Sequence, residues 1–190
     1  KSVNAYNTLK DNGMQVFIGT VTTGACLSVI SQTKADNMFQ ITPSASAAKV
    51  IANDNCFQVC FTDPNQGTAS ADYIASKGLA TKVAVIYNSS DAYSSGIYDN
   101  FKAEAAVKGL DLVDSEAFTS DSKQDFSSQL SKIKASGAEL IFLPIYYQEA
   151  SLILSQAKNA GITAKFFGCD GLDGLLNIEN FDKSLAENVM

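Results

Sequence analysis

The chain has 190 residues, 46% hydrophobic and 18% charged, with a formal net charge of −6. That is enough for one large domain or two small lobes, and the acidic balance lacks the basic face that nucleic acid requires. Every cation is Lys, since the sequence contains neither Arg nor His. Ser-His-Asp and Cys-His catalysis, the commonest metal ligand and the guanidinium fork for anions are thereby excluded.

No apolar run approaches the length that spans a membrane. Lys1-Ser2-Val3 reads as an entry in mid-helix rather than a signal segment, so any targeting sequence is expected upstream. Val3, Tyr6 and Leu9 recur at helical spacing, and Asn12-Gly13 closes that helix. Val16–Ile18 is a predicted strand ending in the polar loop 19–24, and 25–37 reads as a helix with Leu27, Ile30 and Ala35 inward. A strand over Met38–Ile41 runs into Thr42-Pro43-Ser44-Ala45-Ser46, followed by a short helix over Ala47–Ile51. Cys56–Phe61 is the next predicted strand. Asp63 and Pro64 are good first residues for the helix after it, which reaches Lys77 with Ala69, Tyr73 and Ile74 inward.

Val83-Ala84-Val85-Ile86-Tyr87 is apolar without alternation, the pattern of a strand buried on both faces of a parallel sheet. Turn residues Asn88–Asp91 lead into a helix over Ser95–Lys108 that carries Ile97, Phe101, Ala105 and Lys108 and ends at Gly109. Leu110–Phe118 is then a strand, 125–135 a helix built on Phe126, Leu130 and Ile133, and Leu140–Leu143 a strand. A helix over 149–160 with Leu152, Ile153, Gln156 and Ala157 inward precedes a strand over Lys165–Phe167, and 188–190 reads as a further strand. Sustained βα alternation predicts an α/β fold, a parallel sheet flanked by helices, with a crossing between two lobes near Thr62–Pro64. Residues 1–61 hold few strands for an independent sheet, so strands are expected to be missing at one or both ends.

The four cysteines, Cys26, Cys56, Cys60 and Cys169, match no zinc spacing. They read as free thiols, with a Cys56–Cys60 disulfide as the alternative. Gly168–Gly174 has glycines three apart but does not open a helix in the first unit, so it is no dinucleotide fingerprint. Neither a phosphate loop nor a GxSxG elbow is present. No cofactor or metal is expected. An acidic constellation of Asp63, Asp91 and Asp121 at strand ends is better explained by caps and turns.

What remains is a set of neutral polar groups after the strands: Thr22-Thr23, Ser44-Ala45-Ser46, Tyr93, Tyr146-Tyr147, with one acid, Asp170. Each alone reads as a turn or cap. Together they suit a zwitterion: hydroxyls and helix N-terminal N–H groups for a carboxylate, a carboxylate for an ammonium, and phenol rings as walls.

The ordered segments Gly19…Thr23-Gly24, Thr42-Pro43-Ser44-Ala45-Ser46, Phe61–Gly67, Val83–Tyr87 with Tyr93, Ile145–Glu149 and Phe167–Gly171 resemble the branched-chain amino acid type of ABC-importer solute-binding protein. The resemblance covers the whole chain in register. It implies the type I periplasmic binding fold, here incomplete, with 1–62 as part of one lobe and 63–190 as most of the second. It further implies an extracytoplasmic, non-catalytic protein that captures an amino acid in its cleft and delivers it to a membrane permease. Thr23 and Ser46 would take the ligand carboxylate, Ser44 the ammonium through its carbonyl with Ser46 adding its hydroxyl, and Ala45 would lie between them. Tyr93 and Tyr146 would close over the ligand, and Asp170 would hold the ammonium where the family often has Glu. The alternatives are a ligand-sensing domain of a receptor or regulator with the same fold, and an α/β enzyme. Open sheet edges in the first part predict self-association of the chain on its own.

Overall fold

The computed structural model describes residues 1–190, which divide into two compact units, Lys1–Asn65 and Gln66–Met190. The elements are α1 (Ser2–Asp11), β1 (Phe17–Ile18), α2 (Thr23–Ala35), β2 (Gln40–Thr42), β3 (Cys56–Gln58), α3 (Asp63–Ser76), β4 (Lys82–Asn88), α4 (Ala92–Lys108), β5 (Asp111–Phe118), α5 (Ser127–Ser136), β6 (Leu140–Leu143), α6 (Tyr147–Asn159) and β7 (Lys165–Gly168). Every strand pair is parallel. No helix is long and apolar enough to cross a membrane.

In the first unit β1, β2 and β3 lie in chain order. Phe17, Gln40 and Cys56 are paired across the sheet and all three are buried. The opposite face is bare. Ile18, Ile41 and Phe57 form the next paired row; Ile18 is 76% exposed and Phe57 47%, with Phe57 stacked on Phe39 at 5.2 Å.

On the covered face α2 presents Cys26, Val29 and Thr33 as its buried residues, rather than the expected Leu27, Ile30 and Ala35. Leu27 and Ile30 are half-buried against a side cluster and Ala35 is exposed. Cys26, Val29 and Thr33 follow one another at i, i+3 and i+7 and so share the helix face turned to the sheet. Gln40 is 1% exposed yet satisfied: its amide donates to the Gly19 carbonyl at 3.0 Å and its carbonyl accepts from Thr33 Oγ1 at 2.8 Å.

The second unit carries a four-stranded sheet in the order β5-β4-β6-β7. Val83, Ala84, Val85 and Ile86 are all 0% exposed, as the unalternating run predicts. Val83 and Val85 join Leu140 and Phe142 beneath α3 and α4, whereas Ala84 and Ile86 join Ile141 and Leu143 beneath α5 and α6. Each of the larger ones, Val, Leu, Ile or Phe, contributes roughly 1.5–3 kcal/mol. Expected anchors Ile97, Phe101, Phe126, Leu130, Ile133 and Ile153 are all buried.

In α3, Tyr73 is 49% exposed and the inward residues are Ala71 and Ile74, correcting the expectation for Ala69 and Tyr73. The cause is Gly67: a Cβ there would sit 2.7 Å from the Phe101 nitrogen. The α3–α4 crossing is therefore closest at Gly67, and the helix face is set by the glycine rather than the ring.

The last residues form a single parallel bridge, Val189 to Phe166, in place of a further strand. None of the four cysteines is disulfide-bonded.

Candidate functional site

The expected site residues fall into two sets, one in each unit. In the first unit α2 begins at Thr23, two residues earlier than its apolar pattern suggests, and its N-cap Thr22 makes no side-chain capping bond. The N–H groups of its first turn therefore lack the usual side-chain partner. Thr23 is 1% exposed, and its Oγ1 accepts from the backbone N–H groups of Ser46 and Ala47 at 3.2 and 3.3 Å. This ties the loop after β2 to the start of α2. Thr42 braces the same loop, accepting from the Ala45 N–H at 3.0 Å and donating to the Thr20 carbonyl.

Ala45 and Ser46 are both 1% exposed, and Ser44 is half-buried. The Ser46 hydroxyl is buried with no hydrogen-bond partner. A buried hydroxyl left unpaired costs about 1–3 kcal/mol, so the Ser46 hydroxyl is open to a hydrogen-bonding partner beside the uncapped start of α2. Hydroxyl and N–H groups in this arrangement can hold a carboxylate by hydrogen bonding to its oxygens.

In the second unit the chain leaves β4 for α4 on one face and β6 for α6 on the other. Adjacent strands whose helices depart to opposite faces make a topological switch point, where open α/β sheets bind ligands. Asp91, the N-cap of α4, accepts from the Ser94 N–H at 3.1 Å, and places Tyr93 in the first turn. Tyr146 is the N-cap of α6. The two rings stack at 4.8 Å.

Tyr93 is only 2% exposed. Its hydroxyl donates to Asp170 Oδ1 at 2.6 Å and accepts from the Gly171 N–H at 2.9 Å. Burial chiefly, with the neighbouring Cys169 and Asp170 adding to it, pushes the Tyr93 phenol far above its ordinary range, so it stays a neutral donor. Asp170 opens a 3₁₀ turn, Asp170–Leu172, and is exposed.

The structure thus joins Thr23 with Ser46, and Tyr93 with both Tyr146 and Asp170. Sequence reasoning passed over two contributors. Gly171 has no space for a side chain, since a Cβ would lie 2.6 Å from the Ile145 carbonyl oxygen and 2.7 Å from Tyr93 Oη; the glycine directly after the lone acid was the available signal. Glu149 is 7% exposed and pairs with Lys123 at 2.9 Å, fastening the β5–α5 loop to the start of α6. Its signal was an acid in a first helical turn. Burial, aided by Glu149, raises the Asp91 carboxyl above its usual range, against the opposing effect of the Ser94 N–H.

Known proteins agree with this architecture. A family model described as periplasmic binding protein matches residues 1–178. A Leu/Ile/Val-binding protein homolog of Brucella melitensis is 32% identical over 174 residues, 90% of this chain and 47% of that protein. The branched-chain amino acid transporter substrate binding protein LivJ of Streptococcus pneumoniae, solved in complex with isoleucine, superposes with a TM-score of 0.89 at 26% identity, over 99% of this chain and 53% of LivJ. The leucine binding protein LivK of Thermotoga maritima superposes at 0.84 with 28% identity, covering 90% of this chain and 49% of LivK. The chain spans about half the length of the relatives it matches. With the matched model running through nearly all of it, the chain belongs to the periplasmic binding protein family.

Proposed function

We propose that the protein carrying this chain is the extracytoplasmic solute-binding component of an ABC importer, and that it binds a branched-chain or similar amino acid without chemical conversion. Thr23 and Ser46 serve the ligand carboxylate, the Ser44 carbonyl and Ser46 hydroxyl approach the ammonium with Ala45 between them, and Asp170 supplies the countercharge beside Tyr93 and Tyr146. The observation that carries this reading is the buried, unpartnered Ser46 hydroxyl next to the uncapped start of α2. The lone acid held by Tyr93 supports the cationic end. The names of the relatives, which specify leucine, isoleucine and valine, support the substrate class. Delivery to a membrane permease is part of the same proposal: a binding protein acts by presenting one ligand-dependent conformation to its partner.

A thermal-shift screen of the full-length protein against the common amino acids tests the reading. Stabilisation confined to aliphatic amino acids is expected, growing with concentration as RT ln(1 + [L]/Kd) requires. No shift with any amino acid would overturn it.

A further inference from the structure

We propose that Tyr93 is a positioning residue: it serves the ligand's ammonium through Asp170, by fixing one carboxylate oxygen and leaving the other to accept from the cation. The inference rests on the amino acid reading above and concerns how its single acid is held.

The hydrogen-bond accounting is closed. A phenol has one proton. An N–H can only donate, so Gly171 supplies its proton to Oη, and an ionised carboxylate can only accept, so the Tyr93 proton goes to Asp170 Oδ1. That proton is committed before any ligand arrives. With 2% of the residue exposed, the ring has little surface to offer a ligand directly, and its stack on Tyr146 at 4.8 Å fixes its plane.

Asp170, by contrast, is exposed, on a 3₁₀ turn of three residues. Without an anchor its carboxylate would be free to rotate in water. Gly171 completes the clamp: its N–H reaches Oη because no Cβ stands between them and the Ile145 carbonyl. Pre-set acceptors bind a cation with less ordering cost than mobile ones.

The test is calorimetric titration of the full-length protein with leucine and with 4-methylpentanoate, which lacks the ammonium. The variants are Tyr93→Phe, Asp170→Asn and the double variant. Tyr93→Phe keeps the ring stack. It is expected to weaken leucine roughly ten- to hundredfold and 4-methylpentanoate by less than threefold. Adding it to Asp170→Asn is expected to cost nothing more. Equal losses for both ligands, or full additivity in the double variant, would mean a structural or direct role and overturn the proposal. Gly171→Ala gives a second route: it displaces Oη and should reproduce the selective loss for leucine if Tyr93→Phe folds poorly. Should Asp170→Asn bind leucine as the parent does, the amino acid site itself fails. Should Asp170→Asn lose leucine while Tyr93→Phe does not, only the positioning role fails.

Discussion

Ser46 and Thr23 carry opposite burdens at the residue scale. The Ser46 hydroxyl is buried without a partner, so Ser46→Ala removes a desolvated group and leaves the ligand-free melting temperature unchanged or higher. Ligand affinity is expected to fall by roughly tenfold, measured by calorimetry beside a melting curve. Loss of stability without loss of affinity would contradict the role. Thr23 Oγ1 satisfies two backbone N–H groups. Thr23→Val keeps the shape but orphans both, and is expected to weaken binding by about 1–2 kcal/mol and also to lower the melting temperature.

Individual elements show what the sequence made legible. The run Val83–Ile86 announces a doubly covered strand because no side chain in it tolerates water, and β4 lies where that run lies. Turn chemistry at Asn88–Asp91 likewise marks the loop before α4, although the helix expected from Ser95 starts at Ala92, because Asp91 caps it. What stayed hidden depends on partners distant in the chain. Gln40 looks like a surface residue until Gly19 and Thr33 close around it, and Gly67 looks like a weak helix residue until α4 crosses it. Of the site, the polar loops were visible as composition; the Tyr93–Asp170 bond spans 77 positions and leaves no local trace.

Two tests belong to this scale. Gln40→Leu strands the Gly19 carbonyl, while the Thr33 hydroxyl keeps the Ile30 carbonyl as acceptor, and should cost about 1–3 kcal/mol in denaturant unfolding; a neutral result would mean the buried network contributes nothing net. The second concerns acid. Glu139 is held below the usual carboxylate range by the N–H groups of Thr81 and Lys82 and by the Thr81 hydroxyl, and Asp36 is lowered by Lys10 first and Tyr6 second. A carboxyl lowered in the folded state binds fewer protons there than when unfolded, so stability is full above the ordinary carboxylate range near pH 4 and is lost as pH falls through the lowered value. Glu139→Gln should flatten that acid limb; an unchanged slope would contradict the assignment.

For the whole molecule, the bare sheet face of the first unit and the family's length point the same way. A parallel sheet is ordinarily covered on both faces, yet Ile18 is 76% exposed, and Val59, the residue directly after β3, is 72% exposed. The 190-residue chain by itself is expected to associate in light scattering, and Val59→Lys to reduce it; a strict monomer at all concentrations would contradict this.

The proposal that Thr23 and Ser46 hold the carboxylate of an amino acid ligand stands on the buried Ser46 hydroxyl beside the start of α2. Calorimetric titration of the full-length protein with leucine and then with leucinamide, whose carboxylate is gone, tests it most directly. One-site binding of leucine and a loss of at least a hundredfold for the amide are expected. Equal affinity for the two would contradict it.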